Sequence, residues 1–387
     1  MPIHVRPTDP YRVFFPLGIL LGLAGVSVWP FYAFGITEGF SGRSHAFVQI
    51  CGFLYSFAAG FLLTAIPRFT GTENPARWVQ YSVAGLLVVC AIAFELGVFT
   101  LGHAAFLAAH LIVITLAVRR FVRRQQNPPA TFGLVGMGLM TGVLAATLNA
   151  TIALELIAPV WDPLAKRLLT EGMFLMLVLG VGGFLGPRLL GFTALSKFGV
   201  PAATSTNAPA LNTTSLGYAG VGMILLLSLV AEYGLGFGPA AFVRALVTTA
   251  VIAVTLRPWQ LPAVRTTLAW CVWTASLLVV LGVWLVPLVP AYRADVLHVL
   301  FIAFTLLIVA VGTRVTLSHG GHPLSREQRS WPLRIGLATG LVAMSARIGA
   351  PFAPSTYFDH LAWAGILWIA GMLIWGSYLV PLITRRT

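Results

Sequence analysis

Histidine side chains give this sequence its clearest capacity for chemistry. Neutral imidazole is the commonest protein ligand for transition metals, because it offers a lone pair without adding a charge. His45 stands directly before an uncharged apolar run over residues 46–67, and His298 lies near the start of a second apolar run over 293–315. A haem iron held between two imidazoles needs one histidine from each of two facing helices, at similar depth. His45 and His298 are the predicted ligands if both runs are helices that begin at the same side.

Other polar residues could assist such a site. Asp295 precedes His298 by about one helical turn, where its carboxylate could accept the second ring N–H and set the tautomer. His103 and His110 are seven residues apart on one helix face, so they could present to one cavity and hold a second metal. Three arginines could neutralise anionic groups such as haem propionates: Arg43, Arg293 and Arg347. No residue is assigned a catalytic role.

The amino-acid composition indicates whether these residues belong to a soluble protein or to a membrane protein. Hydrophobic residues make up 58% of the 387 residues and charged residues only 9%, with a mean hydropathy of +0.89. Soluble domains have about 25% charged residues, so a soluble protein is excluded. The three cysteines include no CxxC pair, which predicts neither a disulfide framework nor a thiolate metal site. The net charge of +13 lies in short clusters between apolar runs, which argues against nucleic-acid binding.

Twelve apolar runs can cross a hydrocarbon core about 30 Å thick. They cover residues 13–35, 46–67, 78–99, 103–118, 132–157, 168–187, 215–235, 239–256, 266–287, 293–315, 332–350 and 359–382. Backbone groups in lipid must be satisfied within each segment, so all are predicted helices of a single integral membrane domain, residues 1–387. With both termini in the cytoplasm, 18 of the 24 Lys and Arg residues face the cytoplasm, as the positive-inside rule requires. The loop over 188–214 is predicted to be irregular and cytoplasmic.

This orientation gives each intramembrane polar residue a depth. His45, His103, His298 and His360 fall towards the outer ends of their spans, and His110 lies two turns deeper. Three carboxylates fall there too: Glu95, Glu155 and Glu171. Ionisable side chains in a membrane cost roughly 2.5–3.5 kcal/mol each, which favours a functional role. Residues within one turn of a helix end can instead lie in the wet interface, and this alternative stays open for His103, His360 and the carboxylates.

Two segments resemble the NnrS family of bacterial membrane proteins. "GFLLTAIPRFTG" over residues 60–71 is similar to part of the family's second helix, and His45 falls on the first of that helix's two histidines. "LHVLFIAFTLLIVAVGTRVTLSHGGHPL" over 297–324 is similar to the tenth helix, and the likeness includes His298. The number of spans also agrees, so the resemblance covers the whole chain loosely and two helices specifically.

The resemblance implies a haem b-binding protein of the bacterial inner membrane, with one haem or more, that acts in nitric oxide handling, nitrosative stress or denitrification. It implies nitric oxide or a related small molecule as ligand and a membrane electron donor as partner. It leaves open whether such a protein binds or reduces nitric oxide. Phe47 and Val48 stand where the family usually has a second histidine and a glutamate. If that pair holds copper in relatives, this chain is expected to lack the copper site and to be a divergent member.

Two other functions remain open. The core subunit of haem–copper oxidases and nitric oxide reductases also has twelve spans, with a haem held by histidines of helices 2 and 10. Spans 168–187 and 215–235 contain no histidine for the second metal of those enzymes. A secondary transporter is the other alternative, because the glycine-rich stretch over 180–187 could break a helix as transport sites do. The concentration of polar residues at one face argues against it.

Overall fold

The computed structural model describes residues 9–192, 213–328 and 330–384, and the regular structure in these ranges is helical. In chain order the long helices are α1 (Tyr11–Ala33), α2 (Gly42–Thr70), α3 (Arg77–Glu95), α4 (Phe99–Val122), α5 (Phe132–Ala153), α6 (Pro159–Leu189), α7 (Thr213–Gly234), α8 (Ala240–Leu256), α9 (Thr267–Leu288), α10 (Arg293–His319), α11 (Trp331–Gly349) and α12 (Tyr357–Thr384). We call the end of the bundle at which α2 and α10 begin the outer end, because the charge distribution predicts that it faces the periplasm.

The predicted all-α membrane bundle of about twelve helices is confirmed. Within the described ranges, eleven helices are long and apolar enough to cross a membrane, and α8 is a shorter apolar helix of 17 residues. The loop predicted over 188–214 lies mostly outside the described residues. α6 continues through the glycine-rich stretch and ends only at Leu189, so the helix break that would favour a transporter does not occur there.

Several helices begin earlier than the apolar pattern predicts, and in α4 and α6 the earlier start changes the depth of a polar residue. α4 begins at Phe99 rather than at His103, so His103 lies one turn inside the helix. The helical segment of α6 begins at Pro159, not at residue 168, so Glu171 lies about three turns from its start. Both residues are buried, and the wet-interface alternative is wrong for them.

The centre of the bundle is formed by α2, α6 and α10. In their most apolar stretches 83%, 72% and 78% of the residues are buried, whereas the other helices of 18 residues or more do not exceed 50%. A helix that packs against protein on all sides must be apolar all round. The two helices that resemble NnrS segments, α2 and α10, are therefore two of the three central helices.

Two of the central helices contain a π-helical segment of seven residues, Val48–Leu54 in α2 and Leu168–Phe174 in α6. Because a π segment makes i to i+5 hydrogen bonds, it shifts which side chains face a given neighbour, and such segments frequently occur at functional sites. The first segment begins three residues after His45, and the second contains Glu171.

Glycines bring α1 very close to α2. Gly18, Gly22 and Gly25 recur at helical spacing, and a Cβ atom added to any of them would lie within 2.8 Å of an α2 side-chain atom. Real Cβ atoms do not come so close to their neighbours, so only glycine permits this approach. The close contact exposes main-chain carbonyl groups of α1 to polar side chains of α2.

The NnrS-like stretch over 60–71 forms the inner end of α2 and serves packing and helix termination. Thr64 Oγ1 donates to the Gly60 carbonyl at 2.7 Å and accepts from the main-chain N–H of Tyr11 at 3.1 Å. Gly71 ends the helix with a φ of +66°, a left-handed conformation that favours glycine.

The Thr313–Arg314 dipeptide has a similar role at the inner end of α10. Thr313 Oγ1 accepts a hydrogen bond from the indole N–H of Trp375 at 3.0 Å, and Arg314 pairs with Glu327 through two N–H donors. The parts of the sequence that most resemble NnrS at this end thus hold helices together.

Candidate cofactor-binding site

A cavity of about 510 Å³ lies at the outer end of the bundle. Residues of α1, α2, α6, α10, α11 and α12 line it, and both π-helical segments contribute to its wall. The volume falls in the range of about 300–1,000 Å³ that is typical of cofactor and ligand sites. Most of the lining is apolar or aromatic, with polar and charged side chains concentrated near the outer end.

His45 and His298 both line this cavity, from α2 and α10 respectively. His45 Nδ1 lies 2.6 Å from the Gly25 carbonyl oxygen, and His298 Nδ1 lies 2.8 Å from the Ala294 carbonyl oxygen. Because a carbonyl oxygen only accepts, each Nδ1 must carry a proton, and in the neutral ring Nε2 then keeps its lone pair. Main-chain carbonyls are common partners of the second nitrogen in metal-bound histidines. The two rings therefore have the tautomer that metal ligation requires.

The carboxylate of Asp295 pairs with Arg347 rather than with the ring of His298. It accepts a hydrogen bond from Arg347 Nη1 of α11 at 2.5 Å, and the carbonyl of Ala294 orients the ring instead. A carbonyl four residues earlier lies directly below a side chain on the same helix, which explains why it is the nearer acceptor. Asp295 holds Arg347 beside the cavity.

The cavity is lined by four cations at its outer end, and their ion pairs extend to a larger set of charges. The lining cations are Arg43, Lys166, Arg167 and Arg347. Arg167 connects through Glu171 to Arg244 and Arg293, Arg43 and Lys166 share Asp162, and Arg347 pairs with Asp295. The carboxylates of this set are Asp162, Glu171, Glu232 and Asp295. Six cations face four carboxylates, so the set carries an excess of two positive charges. That excess matches a ligand with two negative charges at one edge.

Arg293 lies in this charged set but away from the cavity, contrary to the expectation that it neutralises a ligand directly. Its Nη2 donates to both oxygens of Glu171, at 2.8 and 2.9 Å, and its Nη1 donates to Glu232 at 2.9 Å. Arg244, which is 2% exposed, pairs with the same two carboxylates at 3.1 and 2.5 Å. Each guanidinium thus bridges both carboxylates, and the four side chains join α6, α7, α8 and α10.

His103 is buried in an aromatic environment and does not line the cavity. Only 1% of its surface is exposed, and its ring lies 4.6 Å from the Phe47 ring and 4.9 Å from the Phe94 ring, centroid to centroid. Neither ring nitrogen has a hydrogen-bond partner among the described residues. Phe47 lines the cavity, so this ring separates His103 from it.

His110 is also buried, and both of its ring nitrogens are engaged. Nε2 lies 2.9 Å from the Leu139 carbonyl oxygen and therefore donates, so Nδ1 accepts from the Tyr55 hydroxyl at 2.8 Å. Neither nitrogen is left to bind a metal. The expectation that His103 and His110 face one cavity is not met, because the two rings lie in different packed environments. Within the described ranges no three His, Cys, Asp or Glu side chains form a metal-binding group.

The remaining outer polar residues do not form part of the cavity. Glu95 and Glu155 are exposed, as the wet-interface alternative holds. His360 is half-buried, with its Nδ1 3.4 Å from the Ala346 carbonyl oxygen, and it is not a lining residue. At the inner end, His319 and His322 bond to main-chain carbonyls.

Several lining residues could not be identified from the sequence. Trp29 of α1 packs edge-on against His45 at 5.3 Å between ring centroids, and Trp368 of α12 closes the cavity from the side. Gln49 lines the cavity and donates to the Gly22 carbonyl at 2.8 Å. The sequence does contain a signal for Lys166 and Arg167. Arg167 precedes Glu171 by four residues, a spacing at which opposite charges on a helix form ion pairs.

The comparison with known families covers nearly the whole chain. A family model described as NnrS protein matches residues 8–386. Among curated proteins, none matches the chain at a significant level. The family match includes the helices that carry His45 and His298 and those that close the cavity around them, and the chain therefore belongs to the NnrS family.

Proposed function

We propose that the protein binds haem b in the outer cavity and acts in nitric oxide handling in the bacterial inner membrane. The observation that carries the haem proposal is that His45 and His298, on two central helices, line one cavity with Nδ1 engaged and Nε2 free. This arrangement suits a macrocycle whose metal takes one imidazole from each face.

The other residues around the cavity fit the same ligand. Haem is a flat apolar ring with two propionate groups at one edge. The aromatic side chains of Trp29, Phe53 and Trp368 supply apolar surface. The three ion-paired groups near the outer end together carry an excess of two positive charges. Arg347, held by Asp295, is well placed to bind a propionate.

When bound, haem would supply a redox-active iron. The chain's own contribution is to orient the two imidazoles, to bind the anionic edge and to keep the ring in an apolar environment. Support for nitric oxide as the small molecule comes from membership of the NnrS family and from the resemblance of its central helices. If His45 and His298 both held the haem iron, nitric oxide could bind that iron only after one of the two imidazoles moved away.

Absorption spectroscopy of the detergent-purified protein tests haem binding. Expression in haem-replete cells should yield about one haem b per chain with the spectrum of a six-coordinate, low-spin haem. His45→Ala and His298→Ala should each remove that spectrum or convert it to the five-coordinate form. His360→Ala is the matched control, because His360 lies at the outer end outside the cavity, and it should leave the spectrum unchanged.

A colourless wild-type preparation, or a low-spin spectrum that survives both alanine variants, would refute the proposed ligands. The nitric oxide proposal has a separate test, in which nitric oxide is added anaerobically to the reduced protein. We expect a shift of the absorption bands in the wild type, measured together with the nitric oxide concentration by electrode. A spectrum that does not respond to nitric oxide would contradict this part of the proposal while leaving haem binding intact.

A further inference from the structure

A second, smaller cavity lies between the central helices, on the inner side of the outer cavity. Its volume is about 90 Å³, and every residue that lines it is apolar. Phe57 and Phe61 of α2, Phe174 of α6 and Phe304 of α10 form much of its wall. A water molecule needs two or more polar partners to occupy a cavity, so a space of this kind stays dry or binds an apolar molecule.

Gly182 of α6 lines this space, and its missing side chain leaves the space unfilled. The residue is buried, yet a Cβ atom added to it would meet no atom within 4 Å. Gly180, two residues earlier on the same helix, is different, because its Cβ would lie 2.7 Å from a Val135 side-chain atom. Close helix packing therefore explains why residue 180 is a glycine. It does not explain why residue 182 is one, because a side chain there would only occupy the empty space.

The two cavities occupy consecutive turns of the same helices. Leu54, the last residue of the π-helical segment in α2, lines both. On α10, Phe301 lines the outer cavity and Phe304 the inner one. A molecule in the inner cavity would thus be separated from the proposed haem site by single side chains such as Leu54.

We propose that the inner cavity is a binding site for a small uncharged apolar gas molecule, which supplies the haem site from within the membrane. That this gas is nitric oxide rests on the proposed function. The cavity itself is argued from size and lining, because about 90 Å³ of apolar space accommodates a diatomic molecule and excludes ions and polar ligands.

Xenon is the probe for this site, because it binds dry apolar cavities and can be located directly. Crystals of the purified full-length protein under xenon pressure should show xenon beside Gly182, Phe57 and Phe61. Gly182→Leu should abolish xenon binding by filling the space, and Gly182→Ala should reduce the xenon occupancy with a smaller change in packing. Gly136→Leu is the matched control, because Gly136 is an exposed helical glycine that also has no atom within 4 Å of a Cβ position, and it should retain xenon.

The outcomes separate this inference from the proposed function. Xenon at Gly182 in a protein that binds no haem would uphold the gas site and overturn the haem proposal. A protein that binds haem through His45 and His298 but takes no xenon in this cavity would overturn the gas site alone. Electron density for a lipid acyl chain in the cavity, or xenon retained in Gly182→Leu, would also overturn it.

Discussion

The Nδ1 atom of His45 lies 2.6 Å from the carbonyl oxygen of Gly25 on the neighbouring helix α1. The contact exists because a glycine stripe lets α1 approach α2 so closely that a Cβ atom at Gly25 would lie 2.8 Å from side-chain atoms of Val48 and Gln49. The orientation of one proposed metal ligand thus depends on a residue without a side chain, which lies outside the cavity.

Gly25→Val should weaken haem binding without removing either histidine. The added side chain forces α1 away from α2, so His45 loses the acceptor that sets its tautomer and ring angle. Loss of such an outer partner typically lowers metal affinity by about 10- to 100-fold. The measurement is the haem content per chain after purification, with haem titration of the apoprotein to obtain the dissociation constant.

The matched control for this variant is Gly85→Val on α3. Gly85 is an exposed helical glycine, and a Cβ atom there would meet no other atom within 4 Å. Haem binding should be unchanged in this control. Equal haem loss in both variants would mean that valine perturbs these helices generally, and normal affinity in Gly25→Val would contradict the role of the Gly25 carbonyl.

The buried ion pairs of Glu171 should contribute strongly to stability. Glu171 is 3% exposed and binds both Arg244 and Arg293. Glu171→Gln leaves the guanidinium groups of Arg167, Arg244 and Arg293 with one carboxylate, that of Glu232. Removal of one partner from a buried pair costs about 3–5 kcal/mol. The free energy of unfolding should fall by an amount of this order, measured as a lower Tm in detergent and by denaturant titration.

Two comparisons make this prediction specific. Glu95→Gln removes an exposed carboxylate at the end of α3 and should change the Tm little. The double variant Glu171→Gln with Arg244→Gln removes one charge of each sign and should recover part of the lost stability. A double variant as unstable as the sum of its single variants would show that the two side chains do not interact energetically.

The similar depth of His45 and His298 could be predicted from the sequence, because hydropathy places each residue along a membrane span. His45 and His298 were paired by depth, and the structure brings both to one cavity. Depth gives no information about rotation around the helix axis. His103 and His110 lie at suitable depths, but they point into separate packed regions. The two arginines also differ in the direction they face on their helices, because Arg293 faces Glu171 and Arg347 faces the cavity.

The π-helical segments are a second reason why the site could not be derived completely. An apolar segment such as 46–67 carries no signal for an extra residue per turn, because every face of a central helix is buried. Within the segment Val48–Leu54 and beyond it, side chains are rotated relative to a regular α-helix that runs through His45. Gln49 and Phe53 could therefore not be assigned to the cavity by counting helical positions.

Replacement of Phe47 by histidine should create a copper site in this protein. By the resemblance to the NnrS family, Phe47 stands where relatives usually have a second histidine. Its ring lies 4.6 Å from the His103 ring, and neither His103 nitrogen has a described partner. Imidazole is a suitable copper ligand, so Phe47→His places two such rings side by side at the edge of the cavity. We expect copper in Phe47→His after dialysis and none in the wild type, measured by elemental analysis and, for Cu²⁺, by electron paramagnetic resonance. Phe47→His combined with His103→Ala should lose this copper. Copper that is retained by the wild type or by the combined variant would contradict the proposed pair, because the metal would then depend on other ligands.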